Sequence, residues 1–184
     1  MRALEESHAA IRAELERAWE TRRAAFGNYQ HYLVEKEDWK ALYLYRKGAV
    51  TAEARSLVPL STGVIEEHAI RPRRIFPLLE SHFSTLLPGA VIPPHCDLWN
   101  FSINLHFAVD IPPSCAIRVG GEERTWQEGK CLLFDYSFLH EAWNRSDRPR
   151  TCLLVDLWHP EVTLPEREAI VALVTEIRKM LGEA

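Results

Sequence analysis

The sequence contains few cysteines, and none of them forms the C-x-x-C pair on which most structural zinc sites are built. The four cysteines are Cys96, Cys115, Cys131 and Cys152. The last three lie in apolar, strand-like runs, a setting typical of buried free thiols in a reducing compartment. We therefore expect reduced cysteines and no zinc knuckle.

Long apolar runs and an excess of positive charge are also absent. The chain starts with MRALEESHAA, which is charged and lacks the apolar core of a secretion signal, and no run approaches the length of a membrane span. The formal net charge is -4, which does not suggest a nucleic-acid-binding surface. These absences predict a cytoplasmic protein that binds neither a membrane nor a nucleic acid.

The composition is that of one soluble globular domain. The chain has 184 residues, 47% hydrophobic and 26% charged, and such a chain can bury a sizeable core without disulfides. Apolar residues at steps of three and four predict a helix over 3–25, within an N-terminal helical segment 1–30, and a second helix over 165–182. The run Ser61-Thr62-Gly63 predicts a loop.

Short β-prone runs separated by glycine and proline fill the region between these helices. They are HFSTLL, FSINLHFAVDI, CAIRV, RTW, KCLLF and TCLLVDLW, and DWKALYLYR at 38–46 precedes them as a strand or short strand pair. This spacing is typical of a jelly roll. We predict a mainly β fold with flanking helices, as one domain over 1–184 with its core barrel at 82–160.

Two residues of metal-binding type stand two positions apart in PPHCDLWN, at His95 and Asp97. In a strand, residues i and i+2 face the same side, so both side chains would converge on one point in the mouth of a barrel. One imidazole and one carboxylate make up two thirds of the facial triad of non-haem iron(II) oxygenases, which leaves positions open for a co-substrate and O2. The pair predicts an iron(II) site.

A distant histidine and an arginine complete this pattern. His140 lies in FDYSFLHEAWN, and Arg150 precedes the apolar run TCLLVDLW ten residues later. An arginine that opens a buried strand needs an anionic partner, and a guanidinium holds a carboxylate with two parallel hydrogen bonds. We interpret His140 as the third iron ligand and Arg150 as the residue that binds a dicarboxylate co-substrate.

The same residues also have a purely structural interpretation. Without a metal, they would be a hydrogen-bonded core histidine, a turn aspartate and a surface ion pair. Asp135 and Asp156 are consistent both with carboxylates that orient an imidazole and with ordinary structural carboxylates. The order H-x-D, then H, then R after ten residues, in a β-rich frame, favours the metal site.

The region from Phe83 to Pro160 resembles the aspartyl/asparaginyl β-hydroxylase family. The resemblance lies in PGAVIPPH (88–95), RTWQEGKCLLFDYSFLHEAWN (124–144) and RTCLLVDLWHPEVT (150–163), and EKEDWKALYLYRKG (35–48) is similar to the segment before the family's barrel. The resemblance implies a double-stranded β-helix fold that uses iron(II), 2-oxoglutarate as co-substrate and O2.

The resemblance also implies roles for single residues. By position, His95 and His140 resemble the family's iron-binding histidines. Arg150 resembles the arginine that holds the distal carboxylate of 2-oxoglutarate. Ser84 resembles a serine that assists with that carboxylate, and His106 a histidine that contacts the co-substrate. From the sequence alone, His106 would be a satisfied core residue.

Three positions depart from the best-known members of that family. Some animal members have glycine where Asp97 stands, whereas others, including bacterial lipid A acyl-chain hydroxylases, resemble this chain in carrying H-x-D. We therefore predict that Asp97 is an iron ligand. Ser102 and Asn104 stand where peptide-hydroxylating members carry arginines, which argues against an aspartyl substrate.

The predicted function is an iron(II)- and 2-oxoglutarate-dependent dioxygenase that hydroxylates an unactivated carbon and releases succinate and CO2. Its substrate would be an amino acid, a peptide-borne residue or a related small molecule. A non-oxidative, metal-dependent cupin-like enzyme is an alternative that would not need Arg150. A non-catalytic binding module that keeps the barrel is another. No pattern in the sequence predicts an oligomeric state.

Overall fold

The computed structural model describes residues 1–29, 37–46, 48–78 and 80–182. Within these residues, the α-helices are α1 (Arg2–Glu6), α2 (His8–Thr21), α3 (Ala52–Leu57), α4 (Pro59–Ile65) and α5 (Leu164–Met180), with a 3-10 turn at Arg23–Ala25 and a π-helical turn at Glu66–Ile70. The strands are β1 (Gly27–Asn28), β2 (Trp39–Arg46), β3 (Ala49–Val50), β4 (Ser81–Leu86), β5 (Val91–His95), β6 (Ser102–Asp110), β7 (Cys115–Val119), β8 (Glu122–Arg124), β9 (Cys131–Phe134), β10 (His140–Asn144) and β11 (Arg150–Trp158).

These strands form two antiparallel sheets that face each other. The larger sheet has the order β1-β2-β4-β11-β6-β9, with β3 beside β2, and the smaller has the order β5-β10-β7-β8. From β4 onward the chain crosses between the sheets at nearly every step, so that early and late strands become neighbours. This winding is that of a double-stranded β-helix, which confirms the predicted jelly-roll fold class.

Strand β11 shows how the sequence builds two buried layers. Leu153 and Val155 point to one face and pack in the core beneath the N-terminal helices, together with Phe83 and Phe107. The alternate residues of β11 point to the other face, toward the smaller sheet. A strand that is buried on both faces has a nearly continuous apolar sequence, as TCLLVDLW does.

The N-terminal helix is shorter and more broken than the sequence predicts. Instead of one helix over 3–25, the chain forms α1 and α2, because the backbone at Ser7 leaves the helical conformation (φ -95°, ψ 5°). Helix α2 ends at Thr21, and residues 27–28 already pair with β2. The large sheet therefore begins before the predicted barrel boundary at residue 82.

The loop predicted at Ser61-Thr62-Gly63 was wrong, because these residues lie in α4. The carboxylate of Glu14, in α2, accepts hydrogen bonds from the backbone N–H groups of Leu60 and Ser61, each at 2.8 Å. It thereby satisfies two donors that the first turn of a helix leaves unpaired. This cap comes from a residue far away in the chain, which a local pattern does not report.

Most of the other predicted segments lie close to where they were expected, but of the run RTW (124–126) only Arg124 belongs to a strand, β8. The strand predicted at 38–46 is β2, although residues 35, 36 and 47 of the 35–48 segment lie outside the described residues. Helix α5 follows Thr163, whose N–H and hydroxyl both donate to the Glu166 carboxylate.

None of the helices in the described ranges is long and apolar enough to cross a membrane. None of the four cysteines forms a disulfide.

Asn144 holds together the turn that connects β10 with β11. Its fully buried side-chain amide donates to the carbonyl oxygens of Leu86 (2.9 Å), Leu87 (3.2 Å) and Arg148 (2.7 Å), and its Oδ1 accepts from the backbone N–H of Ser146 at 3.0 Å. The network fixes the chain that runs from one sheet to the other just before Arg150.

We expect Asn144→Ala to lower the free energy of unfolding by about 3 kcal/mol, because several buried polar groups lose their partner at once. Urea unfolding of the purified protein would measure this loss. Asn100→Ala, at an exposed asparagine, should change the free energy by less than about 0.5 kcal/mol. Equal effects of the two substitutions would show that the Asn144 network does not stabilise the fold.

Candidate metal centre

The pairing of β5 with β10 brings two histidines together on the smaller sheet. His95, the last residue of β5, lies directly opposite His140, the first residue of β10. Their ring centroids are 4.1 Å apart, and both residues are buried. Antiparallel pairing thus places side by side two residues that are distant in the sequence.

Both imidazoles are oriented by backbone carbonyls. Nδ1 of His95 lies 2.8 Å from the carbonyl oxygen of Pro93, and Nδ1 of His140 lies 2.9 Å from that of Phe138. A carbonyl only accepts, so Nδ1 is the protonated nitrogen of each ring and Nε2 carries the lone pair of the neutral imidazole. This is the tautomer and the support that a metal-binding histidine requires.

Asp97 joins this pair from a loop and not from a strand. Strand β5 ends at His95, so the expectation that strand alternation aligns Asp97 with His95 was wrong. Instead, the backbone N–H of Asp97 donates to the carbonyl oxygen of Tyr136 at 3.0 Å, which ties the loop to the segment that leads into β10. Oδ2 of Asp97 lies 3.7 Å from Nε2 of His140, and the side chain is 36% exposed.

The three predicted ligands therefore form one compact cluster. The ligand atoms of His95, Asp97 and His140 all lie within 4.8 Å of one another. Two neutral imidazoles and one carboxylate on one side of a metal fit an iron(II) ion that keeps other positions open. The donor set and its spacing are consistent with a mononuclear centre.

A cavity of about 730 Å³ lies between the two sheets, and the cluster forms part of its wall. Arg150, Ser84 and His106 line the same cavity from the larger sheet. Register explains why they share a face: Ser84 lies opposite Cys152, His106 lies opposite Leu154, and Arg150 lies on the same side of β11 as both partners. The structure thus brings all six predicted site residues to one cavity.

Arg150 is the most unusual residue at this end of the cavity. It is only 1% exposed, yet its Nε and Nη1 atoms have no hydrogen-bond partner within the described protein. The guanidinium lies over the ring of Trp126, 4.4 Å from its centroid. A buried charge without a partner is costly, so this position calls for an anion from outside the chain.

Ser84 and His106 add further donors beside Arg150. The indole N–H of Trp39 donates to Oγ of Ser84 at 2.8 Å, so the hydroxyl hydrogen remains to be donated elsewhere. The indole N–H of Trp126 donates to Nδ1 of His106 at 3.2 Å, which leaves the proton of this ring on Nε2. Burial, followed by the positive charge of Arg150, lowers the pKa of His106 well below its usual value and keeps the ring neutral.

Some residues of the site were not identified from the sequence. Trp39 and Trp126 orient Ser84 and His106, but a tryptophan in a strand or loop has no pattern that distinguishes this role from ordinary packing. Asp135 accepts a hydrogen bond from the backbone N–H of Ser137 at 2.8 Å, and it therefore shapes a turn. Asp156 accepts a hydrogen bond from Asn104. Because the Nδ1 atoms of the two histidines face backbone carbonyls, neither aspartate orients them.

Two facing antiparallel sheets, with two histidines and a carboxylate on the wall of the cavity between them, define a jelly-roll protein with a candidate metal centre. The chain belongs to the aspartyl/asparaginyl β-hydroxylase family, since the model of the family described as aspartyl/asparaginyl beta-hydroxylase matches residues 5–160. This finding confirms the resemblance that the sequence motifs carry.

Curated relatives agree with this family. The mouse aspartyl/asparaginyl beta-hydroxylase is 31% identical over 178 residues, which cover 94% of this chain and 23% of that protein. Aspartate beta-hydroxylase domain-containing protein 1 from mouse is 50% identical over 91 residues, or 48% of this chain and 25% of that protein. The chain thus spans about a quarter of the length of these relatives.

Solved structures with similar folds are more distant. A sugar phosphate isomerase of the cupin superfamily from Silicibacter pomeroyi DSS-3 aligns with a TM-score of 0.43 and 17% identity, over 73% of this chain and 69% of that chain. A predicted oxalate decarboxylase from Thermotoga maritima aligns with a TM-score of 0.42 and 10% identity, over 66% and 81%. The fold assignment rests on the strand order described above.

Proposed function

We propose that this protein is an iron(II)- and 2-oxoglutarate-dependent dioxygenase that hydroxylates an unactivated carbon of an amino acid, a peptide-borne residue or a related small molecule. Membership of a family whose curated relatives are named as hydroxylases supports the reaction class. The choice of cofactor and co-substrate rests on the chemistry of the cavity wall.

The observation that carries the proposal is the pairing of the cluster with Arg150. The cluster offers the two-histidine, one-carboxylate ligand set that suits iron(II). The buried guanidinium with unsatisfied Nε and Nη1 atoms fits a carboxylate at the other end of a small molecule. A dicarboxylate that chelates the metal at one end and reaches Arg150 at the other satisfies both requirements.

Each residue would then have a defined task. His95, Asp97 and His140 would hold iron(II), and the carbonyls of Pro93 and Phe138 keep the two imidazoles in place. Arg150, the Ser84 hydroxyl and the Nε2–H of His106 would bind the co-substrate. Iron(II) and 2-oxoglutarate, when bound, would supply together with O2 the chemistry that turns C–H into C–OH; one oxygen atom of O2 would enter the product and the other the succinate, with release of CO2.

The two alternatives account for less of the structure. A non-oxidative cupin-like enzyme would use the cluster but gives no reason for a buried, unpaired guanidinium. A non-catalytic binding module would need neither the carbonyl-supported histidines nor Arg150. The proposed dioxygenase uses both features.

Anaerobic titration with iron(II) and then 2-oxoglutarate tests the proposal. We expect a metal-to-ligand charge-transfer band when both are present, followed by succinate formation on exposure to O2. Iron binding without the band would favour the non-oxidative alternative. Failure to bind iron at all would favour the binding module.

Asp97→Gly is expected to weaken iron(II) binding by roughly tenfold, which corresponds to about 1.4 kcal/mol, while residual activity remains. The side chain is partly exposed at the cavity mouth, so water is able to take its place. Calorimetry with iron(II) under anaerobic conditions measures the change, and Asp97→Asn separates the loss of charge from the loss of the side chain. With the metal bound, an Asp97 oxygen should lie about 2.0–2.2 Å from it. Wild-type affinity and activity in Asp97→Gly would mean that the two histidines hold the metal without Asp97.

A further inference from the structure

The end of the cavity opposite Arg150 is rich in hydrogen-bond acceptors, although Arg46 also lines it beside Glu80. We define the acceptor subsite as Glu80, His82, Asn104 and Asp156, all of which line the cavity. Asp156 is six residues from Arg150 on the same face of β11, or about 20 Å along an extended strand. The two ends are therefore separate binding regions with opposite chemical character.

Asp156 is a partly buried carboxylate without a cationic partner in the described chain. Its Oδ1 accepts from Nδ2 of Asn104 at 2.7 Å, and its Oδ2 accepts from the backbone N–H of Glu80 at 3.2 Å. Burial, with added repulsion from the Glu80 carboxylate, raises the pKa of Asp156 to about 7. A nearby positive charge would relieve this unfavourable environment.

Two further side chains at this end are buried with unsatisfied polar atoms. Asn104 is 9% exposed, and because its Nδ2 donates to Asp156, its Oδ1 remains as an acceptor without a partner. His82 is 3% exposed, and neither ring nitrogen forms a hydrogen bond. Buried polar atoms without a hydrogen-bond partner are rare in folded proteins, so these atoms indicate that a ligand is missing.

Aromatic rings complete the subsite. His82 stacks on Tyr29 with ring centroids 5.0 Å apart and lies 5.3 Å from Tyr43. The guanidinium of Arg46, which also lines the cavity, lies 4.2 Å from the centroid of Tyr43 and 3.5 Å from the Glu80 carboxylate. Carboxylates together with aromatic faces bind cations, and this cluster already binds one guanidinium of the chain itself.

We propose that the acceptor subsite binds a cationic nitrogen group, an ammonium or a guanidinium, of the substrate to be hydroxylated. Asp156 and the Oδ1 of Asn104 would accept its hydrogen bonds. The acceptor subsite and the three candidate metal ligands line the same cavity, so a substrate held in the subsite would share that cavity with the metal. This inference rests on the proposed function, because it names the substrate class of the same cavity.

Calorimetry on the protein loaded anaerobically with iron(II) and 2-oxoglutarate tests the proposal with five probes. Three probes carry a cationic nitrogen: L-lysine, Nα-acetyl-L-lysine and L-norleucine. N-acetyl-L-norleucine carries none and is the neutral-nitrogen control. N-acetyl-L-glutamate adds a second carboxylate and tests for binding to Arg178, which also lines the cavity. We expect at least one cationic probe to bind about tenfold or more tightly than N-acetyl-L-norleucine, the size of effect expected for a charge-assisted hydrogen bond.

Variants locate the preference within the cavity. Asp156→Asn is nearly isosteric and should abolish the preference while the charge-transfer band with 2-oxoglutarate remains. Glu80→Gln should reduce the preference and gives a second reading if Asp156→Asn folds poorly. Glu122→Gln removes one exposed carboxylate that does not line the cavity and should leave the preference unchanged.

The proposal is overturned if cationic and acetylated probes do not differ, including the case in which neither binds. Tighter binding of N-acetyl-L-glutamate, or an unchanged preference in Asp156→Asn, would also overturn it. A wild-type protein without the charge-transfer band contradicts the proposed function instead. In that case, calorimetry on the metal-free protein still reports whether the subsite prefers cations.

Discussion

His95→Ala and His140→Ala are each expected to abolish iron(II) binding and succinate formation, with activity falling by more than about 100-fold. Loss of a residue that only supports a ligand already costs on the order of 10- to 100-fold in metal affinity. Loss of a buried histidine ligand should cost more, in contrast to loss of the partly exposed Asp97, which water is able to replace. Each substitution removes one of two imidazoles that face each other across the β5–β10 pair. Anaerobic iron(II) calorimetry and mass-spectrometric detection of succinate measure the two losses.

His68→Ala is the matched control for these variants, because His68 is an exposed histidine far from the cluster in the sequence. It should bind iron(II) and form succinate as the wild type does. Circular dichroism should show that all three variants keep their β-rich fold. Wild-type succinate formation in either His95→Ala or His140→Ala would rule out the metal assignment.

Arg150→Ala is expected to raise the concentration of 2-oxoglutarate needed for half-maximal turnover by more than tenfold, without weakening iron(II) binding. Removing one partner of a buried, charge-assisted pair costs about 2–5 kcal/mol. Arg150→Lys should fall in between, because lysine keeps the charge but not the planar fork that holds a carboxylate with two hydrogen bonds. Initial rates at varied 2-oxoglutarate concentration give the comparison.

Arg145→Ala controls for the loss of an arginine that stacks on a tryptophan. Arg145 lies over Trp143 at 4.6 Å from the ring centroid, much as Arg150 lies over Trp126, but it is exposed and does not line the cavity. It should leave the 2-oxoglutarate dependence unchanged. If Arg150→Ala also left the 2-oxoglutarate dependence unchanged, the guanidinium of Arg150 would have to bind another ligand, such as the prime substrate.

The residues of the candidate metal cluster could be located from the sequence because their chemistry is carried by residue type and order. Imidazole and carboxylate side chains with this spacing have few common uses, and the turn residues around them indicate a β-rich frame. The geometry of Asp97 could not be predicted in the same way. Its position depends on a hydrogen bond to the Tyr136 carbonyl, and hence on how two loops meet after the strands have paired.

The acceptor subsite illustrates the same limit of local patterns. The sequence contains Asn104 and Asp156 in two separate runs, and nothing within either run indicates that they touch. Their contact follows from the register of β6 against β11, which places them directly opposite each other. A shift of β6 by one residue against β11 would turn Asn104 to the opposite face of the sheet and away from Asp156.

The sequence by itself determined the jelly-roll class, the location of the candidate ligands His95 and His140, and the choice of Arg150 as the cation of a buried strand. These properties depend on alternation, turn residues and side-chain chemistry, which act over a few residues. Only the tertiary structure decided that Trp39 and Trp126 orient Ser84 and His106 and that Glu14 caps a helix where a loop was predicted. It also decided that Asn104 and Asp156 meet on the wall of the cavity that Arg150 lines. Those outcomes depend on strand register and on contacts between residues far apart in the chain, and such contacts form only when the two sheets close over the shared cavity.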